Sequence, residues 1–471
     1  MTETQSGSGM TTVKDLLARA EQLTENGDTN AAIRIYIGVT RRAPRNWLAY
    51  FKLGALLNQA GTKSGGLVAL QRAAQLAPQH ADVQAELGMA LKAVGRQDEA
   101  LEVFERALAL EPTQIFALFS KAELLLRANR TEEALAGFEQ ILAGEEDISH
   151  IKAISRWLRG VARLTLGDYN EAWRDYEARI HHPTTTFPEL KGERWTGQPL
   201  AGKTIFLAYE LRFGDVIQFA RFVPELVRRG ARVILQAPVE LTRLFASLGP
   251  GIALLNPQQP IPAYDYCQLV TSIPAILNYA RDEIWSGVYL HTDANAPARP
   301  LAMRPDTTLK VGLLWAGKPI PNRSIPLEHY APLLRHRDVS FYSFQLGTAA
   351  KQMRELSVGW LMTDLAGEIA DFHDSSEFMQ QMDLLITIDT AAAHQAGALG
   401  VPTWLLLIYY SDWRWGRYGE QTTAWYPSVR IFRQHAYASW HEVARELDDA
   451  FAEWVLTAGA QTAPAVSHQD T

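Results

Sequence analysis

Between residues 13 and 114 apolar side chains return every three or four positions, as in Leu53, Leu56 and Leu57 and again in Leu87, Leu91 and Val94. That is the period of helices burying one face, and short polar breaks divide the stretch into pairs of such helices. Marks inside the pairs recur at a fixed distance. Pro44, Pro78 and Pro112 lie 34 residues apart, as do Gly27 and Gly61, Gly54 and Gly88, and Ala73 and Ala107. Gly54 and Gly88 stand where two helices touch, Gly61 and Gly95 turn the chain, and Ala100, Phe104 and Ala107 face inward from a second helix. A proline then closes each unit, because it cannot continue a helix. A single pair cannot bury its own apolar face, so the pattern predicts a stack of repeats.

From about Lys203 the texture changes. Short apolar runs alternate with helical ones: KTIFLAY (203–209), the helical DVIQFARFVPELVRRG (215–230), ARVILQA (231–237), IALLN (252–256) and YDYCQLV (264–270). A second series runs through LKVGLLWAG (309–317), SFYSFQL (340–346), LLITIDT (384–390), TWLLLI (403–408) and VRIFRQ (429–434). Strands apolar on both faces, joined by helices, predict parallel sheets covered on both sides. The breaker-rich TDANAPARPLAMRPDTT (292–308) separates two Rossmann-like halves, 203–300 and 301–457, expected to face a cleft. The helical WHEVARELDDAFAEWVL (440–456) is expected to pack back across both. HHPTTTFPEL opens a linker over 181–202, where His181 and His182 lack a metal-ligand spacing. Residues 1–11 and the tail 458–471, small and polar, are expected to be disordered.

Composition narrows the function classes. With 471 residues and 47% apolar content the chain can bury several cores, and a net charge of −7 gives no bulk attraction to nucleic acid or anionic lipid. Cys267 is the sole cysteine, which rules out an intrachain disulfide and, in so apolar a run, reads as a buried thiol in a reducing, cytoplasmic protein. No apolar run reaches about eighteen residues and the first residues lack an apolar stretch after a basic start, so neither a membrane span nor an export signal is expected.

Ligands of doubly wound sheets sit beyond the carboxyl ends of the strands, which singles out two loops. In TIDTAAAHQAGALG (387–400), Asp389 or Thr390 caps a helix over Ala391 to Leu399 that Gly400 and Pro402 end. Its bare first turn, Ala391-Ala392-Ala393, leaves backbone N–H groups open to a phosphate, with the Thr390 hydroxyl beside them. His394 either donates to a second oxygen or packs. In YELRFGD (209–215), Asp215 is either a helix cap or a general base for an acceptor hydroxyl, with Glu210 the alternative carboxylate. Arg212 either binds an anionic sugar or acceptor, or obstructs. Lys318 and Arg323 follow LKVGLLWAG, either as solvated cations or as partners of a departing nucleotide. Trp413, Trp415 and Trp425 either stack on a sugar or base, or pack at a junction. No Asp-x-Asp pair follows a strand in a metal-binding setting, so dipoles and cations are expected in place of a divalent metal.

The helix pairs resemble the tetratricopeptide repeat over 13–114. A degenerate unit follows at 115–148, where Ala134 and Phe138 keep their positions but Glu146 replaces the proline, and another at about 150–180 carries Gly160, Gly167, Ala172 and Tyr176. About five units (12–180) are expected, with a concave face that takes a peptide or partner protein, or else a structural stalk or dimerisation surface. The runs DLLITIDTAAAHQAGALGVPTWLLL and DWRWGRYGEQTTAWYPSVRIFRQ, with WRDYEARI, RWTGQPLAGKTIFLAYE, FGDVIQFARF, NRSIPLE and TDLAGEIADF, carry a second resemblance. Over about 170–435 the chain is similar to bacterial tetratricopeptide-repeat glycosyltransferases, which are related to heptosyltransferases and, more distantly, to protein O-GlcNAc transferase.

That resemblance implies a GT-B fold, an acceptor on the first half and a nucleotide sugar on the second, with no other cofactor. It puts the donor phosphates at Asp389, Thr390 and Ala391, adds Lys318, Arg323, Ser324, Gln345 and His394 to the donor side, and makes Asp215 the base of an inverting, metal-independent transfer. The implied acceptor is a protein hydroxyl recruited by the repeats, flagellin or another surface protein among them. A glycolipid or polysaccharide acceptor, and a non-catalytic adaptor, are the other readings. Two departures bear on activity: Leu211 and Arg212 interrupt a usually Gly-rich approach to Asp215, and Leu346 stands where lysine is common.

Overall fold

The computed structural model describes residues 12–462, apart from 145–148, 182–186, Leu211 and 294–298. The expected disorder of 1–11 and of the last nine residues, and the positions of Glu146, His182 and Leu211, lie outside the described residues. Two compact units divide the chain, Met1–Arg159 and Gly160–Thr471.

The first unit consists of helix pairs: α1 (Val13–Glu25) with α2 (Thr29–Arg42), α3 (Trp47–Gln59) with α4 (Lys63–Leu76), α5 (Ala81–Ala93) with α6 (Gln97–Leu110), and α7 (Ile115–Arg127) with α8 (Thr131–Ala143). The 34-residue marks act as their chemistry requires. Gly27, Gly61 and Gly95 turn the chain within successive pairs at φ of 80°, 82° and 84°, and Asn129 takes the same left-handed place at 59°. Helices α2, α4 and α6 stop at Ala43, Ala77 and Glu111, each followed by the proline whose ring displaces its predecessor from helical geometry. At the pair contacts, a Cβ on Gly54 would lie 2.5 Å from Leu70 Cγ, and one on Gly88 2.5 Å from Phe104 Cε1. The helices approach more closely than any larger residue permits.

The second unit opens within α9 (Ser149–Leu166), continues through α10 (Tyr169–Tyr176) and a 3-10 turn at Glu177–His181, and then builds two sheets. In the first, β1 (Thr204–Ala208), β2 (Arg232–Gln236), β3 (Ile252–Leu255) and β4 (Tyr266–Leu269) lie in the order β3-β2-β1-β4. In the second, β5 (Leu309–Leu313), β6 (Val339–Ser343), β7 (Met362–Asp364), β8 (Leu384–Ile388), β9 (Thr403–Leu407) and β10 (Val429–Arg433) run β10-β9-β8-β5-β6-β7. All named pairings are parallel, with Phe206 opposite Cys267 and Leu313 opposite Ile386. Strand order reverses between β1 and β4 and between β5 and β8, which makes these two points the crevices where doubly wound sheets take ligands. Between and around the strands lie α11 (Phe213–Ala220), α12 (Val223–Arg228), α13 (Val239–Phe245), α14 (Ile273–Leu277), α15 (Gln352–Glu355), α16 (Phe372–Met379), α17 (Ala391–Leu399) and α18 (His441–Thr462).

Five features depart from the sequence reading. The helix expected over 215–230 is two, because Pro224 at the start of α12 has no N–H to extend α11. The supposed linker contributes to the first sheet: Arg194 bridges Cys267, Trp195 N–H donates to Cys267 O, and the Trp195 side chain is buried. Strand β7 is too short and too polar to have been read as one. Helix α18 packs on the second sheet alone in its core, with Val443, Leu447 and Phe451 joining Val311 and Phe341, and its backbone stays helical to Thr462, into the presumed tail. Lastly, α10 falls within the stretch expected to be repeats (12–180) but belongs to the α/β unit. Trp173 is 1% exposed, donates to Tyr279 O at 2.8 Å and meets the edges of Trp413, Trp425 and Phe219.

Two substitutions test this architecture. Trp173→Ala should destabilise the α/β transition by about 3–5 kcal/mol and leave the repeat transition in place, as read by urea denaturation. Gly88→Ala should do the reverse, weakening the repeat transition by about 1–3 kcal/mol through the clash with Phe104.

Candidate functional site

A cleft of about 1160 Å³ lies beyond the carboxyl ends of the strands of both sheets. From the first sheet come Tyr209, Arg212 and Phe213 after β1, Val239 and Glu240 on α13, and the loop Asn256–Gln258 after β3. From the second come Ala316–Lys318 and Arg323 after β5, Phe344–Ala349 after β6, Phe372 and Ser375 on α16, and Thr390–Ala392 at the start of α17. The ring centroids of Phe213 and Phe372 stand 5.1 Å apart, so the two halves touch inside the cleft.

The start of α17 is the focus of the second half. Thr390 caps it, its hydroxyl accepting from Ala392 N–H at 3.3 Å. Gly317 lies against this cap: a Cβ there would come within 3.0 Å of both Thr390 Cγ2 and the Arg323 guanidinium. Arg323 donates to Lys318 O at 3.1 Å, while its Nε is buried without a partner. Burial holds this guanidinium below its usual pKa range, Asp389 opposes that, and the Arg212 cation adds to it. Among the described residues no carboxylate pairs directly with Arg323, Asp389 acting only from a distance. Arg212, Lys318 and Arg323 line the same cleft as a helix N-terminus whose field already favours negative charge.

Gln345 also lines the cleft, but its side chain is fully used. Oε1 accepts from Trp315 and Ala316 N–H, and Nε2 donates to Ala316 O and Leu346 O, so it fixes the loop after β5. Ser324 similarly accepts from Gly317 N–H at 3.3 Å and does not line the cleft. Leu346 presents a half-exposed apolar side chain to the cavity.

Several expected contacts lie behind the cleft wall. Asp389 accepts from Trp415 Nε1–H at 3.0 Å, and burial, reinforced by the nearby Asp412 charge, pushes its carboxyl up to about 6. His394 is buried against Tyr426 Oη at 3.0 Å and stacks on Trp415. Burial, with the Arg414 and Arg221 cations, keeps its pKa well below the usual value, so the ring is neutral. A Cβ on Gly214 would lie 2.7 Å from His394 Cδ2, which explains the glycine before Asp215. Trp413, Trp415 and Trp425 are buried at 3%, 0% and 0% exposure, so they pack and do not reach a sugar in the cleft.

The two carboxylates of the first half are engaged as well. Asp215 sits at the third residue of α11, where one oxygen accepts from Arg212 N–H at 3.1 Å and the other pairs with Arg414 at 2.6 Å. It does not line the cleft. Glu210 is turned away into a buried network at the ends of β1 and β4, paired with Arg179 at 3.0 Å, and burial pushes it up to about 7. Arg179 in turn donates to Thr271 and Ser272, so the chain itself fills the crevice of the first sheet. Glu240 is the carboxylate the sequence reading missed. It lines the cleft from α13 and is exposed, but nothing in its local sequence marks it out.

Among the described residues one set has metal-ligand spacing, His373, Asp374 and Glu377 on α16. Arginines already serve it. Arg243 contacts Asp371, Asp374 and His373, and Arg299 contacts Asp374 and Glu377. Because Arg243 lies on α13, the same cluster ties the two halves together at the rim of the cleft.

A tetratricopeptide repeat model matches residues 81–124. That match spans α5, α6 and most of α7, and the other helix pairs keep the same 34-residue spacing. The chain is 27% identical over 339 residues to Protein FlbA of Caulobacter vibrioides, covering 65% of this chain and 56% of that protein. It thus spans little more than half the length of the curated relative it matches. Solved structures that align include MamA (20% identical, TM-score 0.31, 35% of this chain and 93% of that one). The repeat protein YrrB aligns similarly (19%, TM-score 0.31, 36% and 87%). Because it covers 65% of the chain, the FlbA match is longer than the first unit, Met1–Arg159, and extends into the parallel-sheet unit.

The buried Asp389 gives a pH prediction. Its carboxyl holds a proton up to about pH 6 in the folded chain, whereas an unfolded aspartate loses it near 4. The folded state therefore loses stability relative to the unfolded state as pH rises through this window. Asp389→Asn keeps an acceptor for Trp415 and removes that loss. Its melting temperature should match the parent near pH 4 and exceed it above about pH 7.

Proposed function

We propose that the α/β unit is a GT-B glycosyltransferase that binds a nucleotide sugar in the cleft and passes the sugar, with inversion, to a hydroxyl of a protein recruited by the repeats. The observation that carries this reading is that Arg212, Lys318 and Arg323 line the same cleft as Thr390, Ala391 and Ala392 at the start of α17. A phosphate seated there would meet the Ala391 N–H at the positive end of the helix and charge-assisted hydrogen bonds from the cations, which stabilise the nucleoside diphosphate as the anomeric bond breaks. The acceptor oxygen attacks the anomeric carbon from the side of the first sheet, and its proton passes to a carboxylate. Asp215 takes that proton if its Arg414 contact opens, and Glu240 is the alternative already in the cleft. Flagellin-like surface proteins, and glycolipid or polysaccharide hydroxyls, are the acceptor classes to try.

A non-catalytic adaptor is the second reading, favoured by the ion pair that occupies Asp215. Nucleotide binding and turnover separate the two. Thermal shift over a panel of nucleotide sugars should identify a ligand, and Arg323→Ala should raise its Kd about tenfold or more. With a donor and acceptor in hand, Asp215→Asn should retain donor binding and lose transfer by about 10² or more. Turnover unchanged in Asp215→Asn but lost in Glu240→Gln would move the base to Glu240. Donor binding with no transfer or hydrolysis by the parent protein would establish the adaptor.

A further inference from the structure

A second cavity, of about 530 Å³, opens at the other end of the second sheet. Its walls come from Arg304 before β5, from Ala331–Arg337 leading into β6, and from Val358–Leu361 leading into β7. It therefore faces the amino-terminal ends of strands whose carboxyl ends form the cleft, and shares no residue with it.

Its chemistry is one-sided. Arg304, Arg335, His336 and Arg337 line it, and no carboxylate does. Arg335 is neutralised by Asp448 on α18 at 2.8 Å. The Arg304 guanidinium donates to a carbonyl, that of Val339, and pairs with no carboxylate among the described residues. Arg337 is exposed and has no counterion among the described residues. Two buried nitrogens of the lining residues, Arg304 Nε and His336 Nε2, have no hydrogen-bond partner. The imidazole packs edge-on against Phe451. Burial and the Arg335 cation depress its pKa, against the pull of Asp448 and Asp338, so the ring is neutral and donates to an oxygen ligand from Nε2 in the tautomer that carries its proton there. Unpartnered buried nitrogens of this kind are costly unless a ligand or water completes them.

At the mouth stands Trp360, 78% exposed, the most exposed large apolar side chain among the described residues. An indole face that stays in water offers a platform for a planar ring, with arginines beside it for the charge such a ring carries. The size is that of a small-molecule site, too narrow for a folded partner.

We propose that this cavity is a second ligand site, which takes a nucleoside phosphate by stacking the base on Trp360 and holding the phosphate with Arg304, His336 and Arg337. It is independent of the reading of the cleft, because a ligand here does not reach Arg323 or the start of α17. It gives the second half two nucleotide-sized sites at opposite ends of the same strands.

Calorimetric titration of the full chain with UDP and with ADP tests it. The Arg323→Ala protein, weakened in the cleft, should still bind one of these nucleotides with one-site stoichiometry. Adding Trp360→Ala or Arg337→Ala to it should weaken that binding about tenfold or more with the melting temperature unchanged. Inorganic phosphate should compete at much higher concentration than the nucleotide, since it lacks the ring. The proposal is overturned if Arg323→Ala binds neither nucleotide, if Trp360→Ala leaves the affinity unaltered, or if inorganic phosphate binds as tightly as the nucleotide. Loss of cleft binding alone, with Trp360-dependent binding intact, would sink the transferase reading and leave this one standing.

Discussion

The orientation of the two sheets depends on a buried guanidinium. Arg414, 6% exposed, meets Asp215 and Gln218 on α11, Asp412 beside it, and the Tyr176 hydroxyl at the end of α10. Its plane lies over Trp413. A charge so deep is tolerated only because carboxylates and polar groups from three separate segments surround it, and removing any one leaves the rest uncompensated. Arg221 repeats the device nearby, donating to Trp285 O and Trp425 O and lying against Tyr289, Trp425 and Tyr426. The tryptophans of the DWRWGRYGEQTTAWYP segment are the packing around these two cations. They hold the cleft's shape from behind and leave its interior to smaller residues.

This arrangement explains why α10 resists the classification its sequence invites. Its alanine and aromatic positions continue the repeat pattern, yet Tyr169, Trp173 and Tyr176 spend their apolar surface on Trp413 and Trp425. Tyr169 Oη accepts from Trp425 Nε1–H, and Tyr176 reaches Arg414. The last repeat-like helix is in effect the first element of the α/β unit. A boundary drawn from the 34-residue period alone falls some twenty residues late.

Legibility followed the physics of each element. The repeats were readable because steric marks such as Gly54, Gly88 and Pro78 return at a fixed interval and each has a local cause. Nine of the ten strands were readable because buried parallel strands are continuous apolar runs, and β7 escaped because three residues, two of them polar, make no pattern. The cleft was legible through the small residues after β8 and the cations after β5. The sequence could not say which polar side chains face it. Asp389, His394 and Asp215 stand out in the sequence, but their partners, Trp415, Tyr426 and Arg414, come from 26 residues to nearly 200 away in the chain. Only folding brings such pairs together, and it is the partner that decides whether a carboxylate is free to act.

The halves also meet where Gly214 faces His394. Helices α11 and α17 meet there with no space for even a methyl group, and Gly214 has nothing to retract. The rim, by contrast, is joined by side-chain ion pairs of the half-exposed Arg243, which water can replace at small cost. The two halves are thus joined by close packing at α11 and α17 and by solvated ion pairs at α13 and α16, two seams of opposite character on one cleft.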